Sequence, residues 1–145
     1  MDRNLIEKCE QLTIETQELG IMIMRPFYEK YKVNYLKLSV LREITQSNSI
    51  TLNTLSQKLG KAAANLSVVI SEMEKEDLVQ RIRSVNDRRV TFIQAKEKGK
   101  HISDLSYEHI SKAFRDIFGD GEIFEELINA LQRYKEKLQV AVNNM

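Results

Sequence analysis

The residues best suited to chemistry in this sequence are bases that could contact phosphate groups. Seven arginines and lysines meet only two acids between Gln80 and Lys100, which gives this stretch a net charge of +5. The whole chain has a formal net charge of only +1, partly because five acids without a base lie between Asp116 and Glu126. A local basic patch with acid held elsewhere suits nucleic acid. The same charges would suit a solvated hairpin, and charge alone does not separate the two.

The segment before the basic stretch would add polar side chains to the same surface. A short helical pattern from Leu52 to Leu59 ends at Gly60, and a second helix is predicted from about Ala62 to Lys75. Its inward stripe would consist of Leu66, Val69, Ile70 and Met73. At the start of this helix Lys61 is predicted to hold a phosphate. The residues predicted to face base edges or thymine methyl groups are Ala63, Asn65, Ser67, Val68 and Ser71.

A basic hairpin is predicted to follow this helix. Its strands would run from Leu78 to Arg83 and from Arg89 to Ala95, with the turn SVND between them. Helix, tight break, helix and hairpin together form a winged helix-turn-helix, whose second helix lies in a major groove of DNA. The predicted wing contacts are Arg81, Arg83, Asp87, Arg88 and Arg89, and further phosphate contacts are expected from Thr51 and Lys58.

Long helices are predicted on both sides of this unit. Apolar residues at steps of three, four or seven predict a first helix from Arg3 to Tyr31, and Leu38, Leu41 and Ile44 predict a second. After the hairpin, a helix from Lys98 to Phe118 would have one face formed by Ile102, Leu105, His109, Ala113 and Ile117. A last helix from Ile123 to Val142 has a seam close to a heptad: Phe124, Leu127, Leu131, Tyr134, Leu138 and Val142.

These patterns predict a mainly α fold with a small β-hairpin wing, in which long N- and C-terminal helices mediate dimerisation. One domain would cover residues 1–145, with a DNA-binding lobe at about 36–97 and a helical lobe at about 1–31 and 98–145. A unit of about sixty residues cannot cover the apolar faces of the long helices. A second copy of the chain would bury them, and a two-fold dimer is the commonest arrangement.

Two motifs in the predicted wing resemble a known family. Asp87-Arg88-Arg89, followed at the expected distance by Gly99, and the segment SEMEKEDLVQR are similar to the multiple-antibiotic-resistance regulator (MarR) family of bacterial transcription factors. The resemblance covers nearly the whole chain in element order. It implies a homodimeric regulator, more often a repressor, that binds a pseudo-palindromic double-stranded DNA. It also implies that Arg89 enters the minor groove and that Asp87 braces it.

An aromatic and methionine-rich cluster is predicted where the first two helices meet. Its members are Met22, Met24, Phe27, Tyr28, Tyr31 and Tyr35. The family resemblance implies a pocket near this place for a small aromatic or apolar effector. The same side chains would serve equally well as core packing, because methionine adapts to either environment.

Two alternatives to the DNA-binding regulator stay open. The alanine-rich, base-poor second helix favours a winged-helix module that binds protein and has lost base readout, whereas the +5 wing favours DNA. A regulator that senses oxidation through Cys9 is the other, although the sequence favours a structural role for this thiol as a small buried residue of the dimer core.

The remaining composition excludes several classes of protein. We find no nucleophile with its base, no phosphate-binding glycine loop and no completed metal-ligand set around His101 or His109, so neither an enzyme nor a cofactor is expected. No apolar stretch is long enough to span a membrane, and the start MDRNLIEKCEQ is too charged for a signal peptide. With a single cysteine, the chain is expected to be cytoplasmic.

Overall fold

The computed structural model describes residues 2–119 and 121–145, and its architecture is mainly helical with one small sheet. The elements in chain order are α1 (Arg3–Tyr31), α2 (Tyr35–Ser47), β1 (Ile50–Thr51), α3 (Leu52–Leu59), α4 (Ala63–Lys75), β2 (Val79–Arg83), β3 (Thr91–Ala95), α5 (Glu97–Phe118) and α6 (Glu122–Asn143). The predicted fold class is confirmed. Two compact units divide the chain between residues 109 and 110. The predicted lobe boundaries at 36–97 and 98–145 stay predictions.

Short-range signals start and end the helices around the helix-turn-helix. The Asn34 side chain accepts a hydrogen bond from the Lys37 amide at 2.8 Å and begins α2. Thr51 caps α3, its hydroxyl accepting from the Thr54 amide at 3.2 Å. Gly60 ends α3 with a φ of 60°, and Asp77 has a φ of 63° just beyond α4. The backbone therefore reverses where glycine and aspartate tolerate the left-handed conformation.

The sheet has three antiparallel strands, in the order β1-β3-β2. Sequence analysis missed β1, because two residues are too few to show an alternating pattern. The wing strands are also shorter than predicted, since Arg89 and Val90 lie in a loop that spans residues 84–90. The Ser84 amide donates to the Val90 carbonyl at 2.9 Å and closes this loop, which is therefore longer than the predicted turn SVND.

The core of the first unit lies between α2, α3, α4 and the inner face of the sheet. Its fully buried side chains include Leu41, Ile44, Leu55, Leu66, Ile70, Met73, Leu78 and Ile93. The inward stripe predicted for α4 is confirmed at Leu66, Ile70 and Met73, whereas Val69 is half-buried at the edge. This packing holds α4 as the second helix of the helix-turn-helix.

The buried face of α5 differs from the prediction. Gly99, Ile102, Ser103 and Ser106 are buried, whereas Leu105, His109 and Ala113 are half-buried and Ile117 is exposed. The predicted stripe counted apolar residues only. Small serines let α5 approach α2, where the Arg42 side chain donates a hydrogen bond to the Ser106 hydroxyl at 3.0 Å.

The second unit contains the end of α5 and the whole of α6. Phe114, Phe118 and Phe124 form its aromatic cluster, with ring centroids 5.0–5.7 Å apart. No residue of α6 is buried in the single chain. The predicted seam on α6 is therefore exposed, including Leu127, Leu131, Tyr134, Leu138 and Val142.

Candidate nucleic-acid interface

Helix α4 presents few polar side chains on its outer face. Asn65 and Val68 are exposed, Val68 to 62%, whereas Ser67 and Ser71 are half-buried. Ala62 precedes the helix and gives no side-chain cap, so the first backbone N–H groups of α4 have no partner from that residue. The exposed face can therefore offer an amide, a valine methyl surface and free backbone donors to a ligand.

The C-terminal half of α4 is tied to α2 by Lys37. Its ammonium lies 2.7 Å from Glu76 Oε1 and 3.5 Å from Glu72 Oε2, and its side chain is only 12% exposed. Burial would lower the pKa of Lys37, but the hydrogen bonds and charges of Glu76 and Glu72 outweigh burial and raise this pKa above 10.5. The pair therefore fixes the orientation of α4 on the core.

Arg81 of β2 lies across α4 instead of extending to solvent. Its guanidinium pairs with the Glu74 carboxylate and donates to the Ser67 carbonyl at 3.2 Å. Both terminal nitrogens also lie within 3.4 Å of the Ser71 hydroxyl. The sequence predicts Ser67, Ser71 and Arg81 as separate DNA contacts, but in the structure these three residues contact one another.

The wing loop is organised by its own side chains. The Ser84 hydroxyl accepts from the amides of Asn86 and Asp87, at 3.2 and 3.3 Å. Asp87 Oδ1 accepts from the Arg89 backbone amide at 2.9 Å. Asp87 therefore braces the backbone of Arg89, not its guanidinium as the family resemblance implies, and leaves the Arg89 side chain unpaired.

Four of the predicted contact cations have no ion-pair partner within residues 2–119 and 121–145. They are Lys61 at the start of α4, Arg83 on β2, and Arg88 and Arg89 in the wing loop. In contrast, Lys58 pairs with Glu43 at 3.2 Å, and the Thr51 hydroxyl is engaged as the cap of α3. These four cations therefore lie just before α4, on β2 and in the wing loop, all within the first unit.

An open cleft separates the start of α3 from the base of the wing. It has a volume of about 300 Å³ and is lined by Thr51, Leu52, Asn53, Arg89, Val90 and Thr91. Strand β1, which pairs Thr51 with Phe92, brings these segments together. Thr51 and Arg89, thirty-eight positions apart in the sequence, therefore meet at one place.

The residues of the predicted effector cluster differ in burial, and the pocket itself stays a prediction. Met24 and Phe27 are buried, Tyr28 and Tyr31 are half-buried, and Met22 and Tyr35 are exposed. The Phe27 ring packs 4.5 Å from the Tyr31 ring and 5.6 Å from the His109 ring. These contacts are those of core packing at the end of α1.

A half-buried arginine, missed by the sequence analysis, lies beside this cluster. Arg42 of α2 stacks over the Tyr107 ring at 4.5 Å, and its Nη2 is buried without a hydrogen-bond partner among the described residues. The buried Ser103 hydroxyl likewise lacks one. Burial raises the pKa of Tyr28, and the nearby Arg42 charge opposes that rise. Arg42 lies four positions after the buried Leu38, so both are on the inward face of α2. A cation at this spacing is the sequence signal that could have indicated the site.

The other candidate sites are not assembled. Cys9 is exposed on α1, and the described residues contain no cluster of histidine, cysteine and carboxylate side chains suited to a metal. His101 is exposed, whereas His109 contacts the Ile23 carbonyl at 3.4 Å. Among the described helices, none is long and apolar enough to cross a bilayer.

The arrangement of α3, α4, β2 and β3, with long helices before and after it, defines a winged helix-turn-helix protein. Residues 33–91 match the family model described as MarR family. This part of the chain, from just before α2 to the start of β3, is therefore similar to the MarR family.

Comparisons with individual proteins agree with this assignment. The homoprotocatechuate degradative operon repressor of Escherichia coli is 20% identical over 123 residues, which cover 83% of each chain. The structure of reduced AbfR bound to DNA has a TM-score of 0.72 at 19% identity, covering 95% of this chain and 99% of that one. NadR in complex with 4-hydroxyphenylacetate has a TM-score of 0.73 at 18% identity, covering 87% and 88%. At these identities the structural matches show a common fold.

Proposed function

We propose that this protein is a DNA-binding transcriptional regulator that acts as a homodimer on a pseudo-palindromic duplex. The observation that carries the proposal is the set of unpaired cations shared by α4 and the wing: Lys61, Arg83, Arg88 and Arg89. Cations without internal partners are free to displace counterions from phosphates. The AbfR complex, which shares this fold, is bound to DNA. Repression is proposed from the named function of the Escherichia coli relative.

The homodimer is proposed from two exposed apolar helix faces. On α6 the exposed residues include Leu127, Leu131, Tyr134, Leu138 and Val142, and on α1 they include Leu5, Leu12, Leu19 and Met22. A stable interface buries roughly 1,200–2,000 Å² in total, and helices of this length can supply that area. Two copies related by a two-fold axis would present two α4 helices to half-sites about one helical turn apart.

The test is an unbiased selection of duplex DNA by the purified protein, repeated across a salt series. If all the unpaired cations of a dimer contact phosphates, the slope of log affinity against log salt is about −7. Affinity then falls by about four orders of magnitude between ~50 and ~200 mM salt. An enriched palindrome with a steep slope would support the proposal. Absence of enrichment with a shallow slope would contradict it and favour the protein-binding alternative.

A response to a small aromatic carboxylate is a second proposal, which the half-buried Arg42 favours. Its buried Nη2 has no hydrogen-bond partner among the described residues, and its guanidinium lies over the Tyr107 ring, an arrangement that matches a carboxylate carried on an aromatic ring. NadR, with the same fold, is complexed with a molecule of this class. An effector there would release the protein from DNA if it bound the DNA-free form of the protein better than the DNA-bound form.

This second proposal can be tested with 4-hydroxyphenylacetate as the probe. We expect the probe to raise the unfolding temperature of the parent protein and to weaken its DNA binding. Arg42→Gln should abolish both responses, whereas Arg25→Gln, which removes an exposed arginine of α1, should keep them. The unfolding temperature of Arg42→Gln without probe shows whether that variant is folded. If the probe raises the unfolding temperature of a folded Arg42→Gln variant as much as that of the parent, Arg42 does not bind the carboxylate.

A further inference from the structure

We infer that Arg81 is a positioning residue that joins the wing to α4, and that it makes no phosphate contact. The inference rests on the proposed DNA-binding function and concerns the same surface. Glu74 is its partner: one carboxylate oxygen accepts from the Arg81 backbone amide at 3.1 Å, and the other pairs with the guanidinium. A single acid therefore holds both the main chain and the side chain of the same strand residue.

Both terminal nitrogens of the Arg81 guanidinium are engaged on α4. Nη1 is shared between Glu74 and the Ser71 hydroxyl, and Nη2 is shared between Ser71 and the carbonyl and hydroxyl of Ser67, at 3.2–3.5 Å. The Arg81 side chain is 32% exposed and that of Glu74 is 31% exposed. To reach a phosphate, Arg81 would have to break this network and leave the Glu74 carboxylate unpaired beside the negatively charged DNA.

Arg83 offers a contrast on the same strand. It follows Arg81 by two positions, so both side chains leave the same face of β2, but Arg83 is exposed and has no ion pair among the described residues. Beyond Val79 the strand buries nothing. The Arg81 network therefore joins the outer half of β2 to α4 and holds this part of the wing near the helix.

The same network limits which residues of α4 can read bases. The Ser71 hydroxyl donates to the Ser67 carbonyl at 2.9 Å and accepts from Arg81, and the Ser67 hydroxyl lies 3.5 Å from Arg81 Nη2. The hydroxyls of Ser67 and Ser71, both predicted DNA contacts, are therefore engaged in contacts within the protein. Base readout is left to Asn65 and Val68, through an amide and a methyl surface.

The test compares DNA affinity and its salt slope for the parent protein and five variants. Glu74→Gln removes a negative charge from the DNA-facing surface, which by charge alone should strengthen binding. If Glu74 belongs to a positioning network, Glu74→Gln should instead weaken DNA binding by roughly threefold to tenfold and leave the salt slope unchanged. Arg81→Gln should show the same loss, and the double variant should lose no more than either single one, because both changes break one network.

Arg81→Lys and Arg83→Gln complete the comparison. Lysine keeps the charge of Arg81 but lacks its planar fork, so Arg81→Lys should lose as much affinity as Arg81→Gln if Arg81 is a positioning residue. Arg83→Gln, as the matched phosphate-contacting control, should reduce the salt slope of a dimer by about one to two. Unfolding temperatures identify any variant that fails to fold.

The outcomes separate this inference from the proposed function. A stronger-binding Glu74→Gln, a salt slope that falls in Arg81→Gln as in Arg83→Gln, or full affinity in Arg81→Lys would each overturn the positioning role. If the parent protein itself shows no salt-dependent binding to selected DNA, it is the proposed function that fails, whatever the variants do.

Discussion

Replacing Gly99 by alanine tests how the wing is joined to α5. Gly99 lies in the first turn of α5, where an added Cβ would lie about 1 Å inside van der Waals contact with the Leu78 carbonyl oxygen. It would also lie 3.0 Å from Leu41 Cδ2. The Leu78 oxygen accepts a hydrogen bond from the Lys96 amide at 3.0 Å, so it cannot turn away without breaking that bond. The backbone of α5 must therefore move away from the start of β2.

The cost of this movement can be worked from its parts. Overpacking a core costs about 1–3 kcal/mol, and a weakened backbone hydrogen bond adds about 1 kcal/mol. The higher helix propensity of alanine returns about 1 kcal/mol. We expect Gly99→Ala to lose about 1–3 kcal/mol and to unfold some 2–12 °C lower.

The assay is thermal unfolding followed by circular dichroism at matched protein concentration, because dimerisation makes the midpoint concentration-dependent. Gly20→Ala is the control: it adds the same methyl group to α1, where a Cβ would meet nothing within 4 Å. That variant should be as stable as the parent or slightly more so. If Gly99→Ala unfolds at the parent's temperature, the close approach of α5 to Leu78 is wrong.

Three further predictions concern the wing, one ion pair and the proposed dimer. Arg89→Ala should weaken DNA binding at least about threefold; unchanged affinity in a titration would remove the wing loop from the mechanism. Lys96 holds the pKa of Asp77 below its usual 3.8, so their pair stabilises the fold above that pH and loses its effect as the pH falls through the lower folded value. Asp77→Asn should accordingly unfold earlier than the parent at pH 7, and a gap that persists in acid would contradict this cause. Leu131→Glu charges a residue of α6 that is 54% exposed in the single chain; sedimentation should show monomers, and an intact dimer would move the interface elsewhere.

Local patterns were enough to predict the helical elements and the class of the protein. Thr51, Gly60 and Asp77 act through their own backbone neighbours, so a cap or a reversal is visible in a few residues of sequence. The inward stripe of α4 likewise follows from the helical repeat. The motif Asp87-Arg88-Arg89 identified the wing and the family, and the family match at residues 33–91 confirms it.

Only the tertiary structure decided which charged and polar side chains are free. Arg81 and Arg83 are equivalent in the sequence, two positions apart on one strand, but Arg81 meets Glu74 from a different element and Arg83 does not. In the same way, α5 brings Ser106 and Tyr107 against Arg42 of α2, so this half-buried cation contacts a hydroxyl and a ring, with no carboxylate partner among the described residues. Helical and strand repeats report which face of an element is apolar. The partner of a charge depends on contacts between elements far apart in the chain, and no local pattern records them.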